Sequence, residues 1–132
     1  MALTDIDPAL GLMADFTEVA KGTPKHIDAM RRDAILTDGA VPARLKALAA
    51  MLWAISARCE PCAAFYIGEA VRCGATETEL GEFLAIASTM GGCVGEMWAL
   101  KAFKAYKDRT NPAGTPQAAS PTADDACCAS SA

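Results

Sequence analysis

An all-α domain of five or six helices is predicted, and three observations predict it. Apolar residues recur at helical spacing along most of the chain. Helix-start and helix-stop residues punctuate it at short intervals. No stretch sustains the apolar–polar alternation of a strand, and no internal repeat is evident.

The elements follow in order. Asp7-Pro8 reads as a cap with proline at the first helical position, and Leu12, Phe16 and Val19 continue to a stop at Gly22. Thr23-Pro24 opens a second helix in the same way, with Ile27, Met30, Ala34 and Ile35 as its apolar stripe and Asp38-Gly39 as its end. Pro42 opens a third, rich in alanine and leucine, that reaches Ala57. The fourth runs from Glu60-Pro61 to Cys73, with Gly74 at the stop. Thr76 and Glu79 have capping-box spacing and start a fifth, with Leu80, Phe83, Leu84, Ala87 and Met90 along it. Gly91-Gly92 kinks or breaks this helix, and Val94, Met97, Trp98 and Tyr106 carry the apolar face onward. The domain therefore spans residues 1–108. Residues 109–132 are Pro-, Ala-, Ser- and Thr-rich and cannot bury enough surface to offset ordering entropy, so a disordered C-terminal tail is expected.

Bulk properties narrow the function. A chain of 132 residues suits one core. The net charge of −4 supplies no basic face for nucleic acid. No cationic start followed by an apolar run marks a secretory signal, and the longest apolar run, taken as residues 45–57, is shorter than the ~20 residues that span a bilayer. A cytoplasmic protein with no membrane partner is expected. In a reducing compartment its six cysteines point to catalysis, redox exchange or metal rather than to a disulfide scaffold.

The chemistry centres on "RCEPC", residues 58–62. Cys59 and Cys62 are three apart at a helix start, which puts both sulfurs on one side within reach of a disulfide. Free N–H groups and the helix dipole favour a thiolate there; Arg58 adds a cation and Glu60 opposes it. Thiol–disulfide exchange follows, or attack on a peroxide closed by a Cys59–Cys62 disulfide. A structural zinc site would need four ligands, and Cys73, Cys93, His26 and the tail pair supply no second matched spacing. No metal or other cofactor is expected. Tyr66 and Glu69 share a helical stripe with Cys62 and are possible auxiliary groups. Their plainer roles are a packed aromatic and a solvated charge. Cys127 and Cys128 end the tail; some twenty flexible residues reach about 25 Å, enough to visit the Cys59/Cys62 pair. Two inert tail cysteines are the plainer reading.

Residues 57–92, "ARCEPCAAFYIGEAVRCGATETELGEFLAIASTMGG", resemble the core of the alkylhydroperoxidase D-like, or carboxymuconolactone decarboxylase-like, family, and the likeness extends over roughly residues 40–107. The resemblance implies an all-α fold whose helical hairpin carries the cysteines, and assembly into dimers, trimers or hexamers. It implies a redox pair at Cys59 and Cys62 that reduces a hydroperoxide or a disulfide at the expense of a thiol or dithiol donor. In the family the second cysteine usually attacks, whereas the helix argument favours the first as thiolate. Two relay residues of the family are absent: its histidine position is Tyr66 and its glutamate position is Ala47. A phenol is a poor base at neutral pH and alanine is none. Two other functions compete with the peroxidase or oxidoreductase reading. One is a thiol-based carrier of a soft metal or metalloid, with Cys127 and Cys128 joining the pair. The other is a redox-inactive member or a lactone-acid enzyme of the same fold.

Overall fold

A tight antiparallel helical hairpin forms the centre of the structure, which is a computed structural model describing residues 2–112. Its arms are α4 (Ala43–Ser56) and α5 (Glu60–Arg72), joined by only three residues. Before them come α1 (Leu3–Ile6), a 3-10 segment (Pro8–Leu12), α2 (Met13–Val19) and α3 (Thr23–Ala34). After them comes α6 (Glu77–Thr110), which closes the core against both hairpin arms. Every regular element among the described residues is helical.

The core forms where the hairpin meets α6. Leu48 and Met51 of α4, Ile67 of α5 and Leu80 of α6 are its fully buried large side chains. Burying each contributes roughly 1.5–3 kcal/mol. Small residues between them, Ala47, Ala54, Ala63, Ala70, Ala99 and Ala102, let the helix axes approach closely.

Local signals set the helix ends. The Thr76/Glu79 capping box forms in full: Glu79 N–H donates to Thr76 Oγ1 at 3.1 Å, and Thr76 N–H donates to Glu79 at 3.0 Å. Gly92 has φ 59°, ψ −145°, a conformation only glycine adopts easily, and it breaks α6 into two arms. The arms meet so closely at the corner that a side chain on Gly95 would collide with the Ala87 carbonyl. Asp7 accepts from Ala9 N–H as expected, but it opens the 3-10 segment rather than one continuous helix to Gly22.

Four expectations are corrected. The second helix of the reading, α3, stops at Ala34 rather than at Asp38-Gly39. Leu36 N–H bonds back to the carbonyls of Arg31 and Arg32, and the Thr37 hydroxyl donates to the Arg32 carbonyl, which closes the helix early. The stripe on that helix is not core either: Ile27 and Met30 are exposed, as are Leu12, Phe16 and Val19 before them. Only Ile35 and Leu36, just past the helix, pack against the buried cluster. Third, residues 83–100 form a longer apolar stretch than 45–57, with Glu96 as the sole charge. By length and composition alone α6 could cross a membrane. The break at Gly92 leaves neither arm with the ~20 residues that a span needs. At its end α6 includes Arg109 and Thr110, which the sequence assigned to the tail. Cys127 and Cys128 lie outside the described residues.

Candidate functional site

The turn between α4 and α5 delivers the cysteine pair. Arg58 N–H donates to the Ile55 carbonyl at 3.1 Å and Cys59 N–H to the Ala54 carbonyl at 2.9 Å, with Arg58 left-handed at φ 59°. These are the two bonds of a Schellman motif, which usually places glycine where Arg58 stands. An arginine in that conformation costs roughly 1–2 kcal/mol. Part of this is offset by the Arg58 guanidinium, which donates to the Ile55 carbonyl at 2.9 Å and stacks over Trp98. The turn makes Cys59 the N-cap residue of α5 and sets Cys62 in its first turn.

Cys59 and Cys62 are joined in a disulfide, with Cα atoms 5.2 Å apart. Cys59 is half-buried and Cys62 is exposed. Pro61, lacking an N–H, fits the first turn without losing a hydrogen bond. Glu60 pairs with Lys101 across the gap to α6 at 3.7 Å, which tempers its negative charge beside the sulfurs.

Both cysteines open onto a cleft of about 500 Å³. Alanines of α4 and Ile35 form its apolar walls, exposed Trp53 stands among them, and Lys46 and Tyr66 supply the polar groups. No carboxylate lines it. The position where the resembling family has a glutamate is Ala47, wholly buried in the core.

Tyr66 is held from outside the hairpin. Arg31 Nε of α3 donates to its phenolic oxygen at 3.1 Å, while the same guanidinium stacks over Phe65 and reaches Asp28 at 3.5 Å. Arginine can only donate, so the phenol accepts and its own proton remains to be given elsewhere.

Glu69 lies outside the cleft. It is clamped to Arg72 at 2.7 Å, and this contact raises the pKa of the Arg72 guanidinium. Cys73 ends α5 with a free thiol, Cys93 is exposed beside the Gly92 break, and His26 is exposed on α3. Among the described residues no group of three or more His, Cys, Asp or Glu side chains could hold a metal ion. The sequence reading thus named Cys59, Cys62 and Tyr66 of the cleft and missed Lys46, Trp53 and Arg31. Lys46 and Trp53 fall seven apart on α4, one helical stripe leading to the cysteines, and that spacing was readable. Arg31 lies thirty-five residues from Tyr66, and no local pattern announces the contact.

The fold and this site can be set against known proteins. The family model of the carboxymuconolactone decarboxylase family matches residues 21–105. The chain belongs to the carboxymuconolactone decarboxylase family. An uncharacterised protein from Cupriavidus necator is 42% identical over 109 residues, covering 83% of this chain and 92% of that protein. The crystal structure of the apo form of a carboxymuconolactone decarboxylase family protein from Legionella pneumophila superposes with a TM-score of 0.72 at 28% identity, covering 80% of this chain and 95% of that one. The family match begins at α3, well before the segment in which the resemblance was specific, and so takes in the Arg31 helix as well as the hairpin.

Proposed function

We propose that this family member is a thiol-dependent redox protein that cycles Cys59 and Cys62 between dithiol and disulfide, reducing a hydroperoxide or exchanging with another disulfide. One observation carries the reading: the two cysteines form a disulfide at a helix N-terminus, beside an apolar cleft, with Cys62 exposed and Cys59 half-buried. The exposed position favours Cys62 as the attacking residue.

The chemistry balances without a cofactor. The Cys62 thiol gives its proton to solvent, and the thiolate sulfur attacks the hydroperoxide. An S–O bond forms, the O–O bond breaks, and the departing alkoxide takes a proton to leave as an alcohol. The Cys59 sulfur then attacks the sulfenic acid; the S–S bond forms, and the hydroxyl leaves with the Cys59 proton as water. A thiol or dithiol donor returns two electrons and two protons. In disulfide exchange the same Cys62 thiolate attacks a partner's disulfide instead. The cleft offers no carboxylate–imidazole relay, so the thiol proton leaves unaided and the peroxide step is slow.

We also propose that the chain works as a homo-oligomer. The exposed apolar side chains of α2, α3 and α6 support this, because a monomer rarely leaves such faces to water.

The test is hydroperoxide consumption by the full chain, with dithiothreitol as reductant and cumene hydroperoxide as oxidant. Turnover that disappears in Cys62→Ser is expected. Wild-type consumption no faster than that of the variant would overturn the peroxidase half of the reading. The exchange half would then rest on reduction of a small disulfide by the same pair.

A further inference from the structure

The cleft beside the disulfide has an uneven chemistry. Its body is apolar, yet its two polar side chains are Lys46 and Tyr66, both half-buried, and no carboxylate faces them. Among the described residues the Lys46 ammonium takes part in no ion pair within 4.0 Å; Asp38, on the adjoining turn, instead accepts from the Ala43 N–H at 2.8 Å. Tyr66 receives the Arg31 hydrogen bond on its oxygen, which polarises the phenol and leaves its proton without a protein acceptor among the described residues. The Lys46 ammonium lies beside Gly39 at the margin of the cleft, and a cation and a polarised donor bordering an apolar cleft stabilise negative charge there. A neutral occupant would leave both groups underused, and a cationic one would be repelled.

We infer that this cleft selects amphipathic anions: an apolar body lies over Ile35, Trp53 and the α4 alanines, and a carboxylate is held by Lys46 and the Tyr66 hydroxyl. The inference rests on the redox reading above and narrows its substrate to an organic hydroperoxide that bears an acid group. It also gives Tyr66 a role other than the missing base. The tyrosine donates to the ligand, and Arg31 is the positioning residue that holds it.

The experiment separates this from turnover by measuring binding alone, on the full chain in its disulfide form. Octanoate, octanol and octylammonium share one tail and differ in charge. Each is titrated while the fluorescence of Trp53 is followed in a Trp98→Phe background. Octanoate should bind about tenfold or more tightly than octanol, as charge-assisted hydrogen bonds imply, and octylammonium weakest. Lys46→Met should erase most of the octanoate preference while keeping octanol affinity, and Tyr66→Phe should erase part of it. An unchanged circular dichroism spectrum confirms that each variant is folded. Equal affinities for the three ligands, or a preference that survives Lys46→Met, would overturn the inference. Neither result bears on whether the cysteines turn over, so failure here and failure of the redox reading are told apart.

Discussion

Under the proposed redox function, Tyr66 is the residue that bears most directly on removal of the thiol proton. A phenol that carries its own proton is a poor base, so it does not take the proton of Cys62, four positions earlier on the same helix. Tyr66→His would place a group of pKa near 6.5 on that stripe, and the neighbouring Arg31 cation would hold the imidazole neutral and able to accept. The variant should oxidise at Cys62 at least ~10-fold faster with cumene hydroperoxide, within the range a positioned base supplies. Stopped-flow fluorescence checks this; a rate equal to wild type would mean that proton removal does not limit the step. The cysteines and Tyr66 were legible in the sequence because C-x-x-C at a helix start carries its own chemistry. Glu69 was read as their neighbour from spacing alone, and the structure turns it to Arg72, three residues on, where a shorter path to a cation wins.

At the scale of elements, the starts of α4 and α6 are tied together. Arg44 Nε donates to both Glu79 carboxylate oxygens, at 3.0 and 3.3 Å, and Glu79 also accepts the Thr76 N–H of the capping box. The Thr76 hydrogen bond first, and the Arg44 contact after it, hold the Glu79 carboxyl below its ordinary value of 4.5. A carboxyl whose pKa is lower folded than unfolded adds stability above the unfolded value, and loses it as pH falls through the folded one. Glu79→Gln should therefore melt below wild type at neutral pH, and the gap should close as pH drops below 4.5. Thermal denaturation across that range measures it; a gap that stays constant would remove the titrating role. The hairpin was implied by the family resemblance, whereas the capping box and the Gly92 break were readable because each is a local rule. The early end of α3 was not, since it depends on backbone bonds that Leu36 makes to Arg31 and Arg32. Arg58 in a glycine's conformation was equally hidden, because the Schellman turn that holds it is a property of the backbone.

For the whole molecule, the unburied apolar faces set the expectation. Val19 is 78% exposed on α2 and Met90 82% exposed on α6, where Ile86, Val94, Met97 and Leu100 are exposed as well. Helical periodicity marks these residues as buried, and within one chain they are not. Periodicity reports that a face is apolar and leaves open whether the same chain or a second copy covers it. Sedimentation velocity on the full chain should give a mass that is a multiple of the 13.7 kDa protomer, and the double variant Met90→Lys, Val94→Lys should sediment as a smaller species. A wild-type protein that remains monomeric at high concentration would contradict the assembly.

Whether Cys59 and Cys62 work as a redox couple is decided by mass-spectrometric thiol mapping. The reduced full chain is exposed to a small excess of organic hydroperoxide, quenched at intervals and alkylated, beside a form truncated before Cys127. A Cys59–Cys62 disulfide should accumulate, with Cys62 passing through a sulfenic acid, while Cys73 and Cys93 stay reduced. Both thiols of the pair remaining reduced, while other cysteines oxidise at the same rate or faster, would contradict the redox reading.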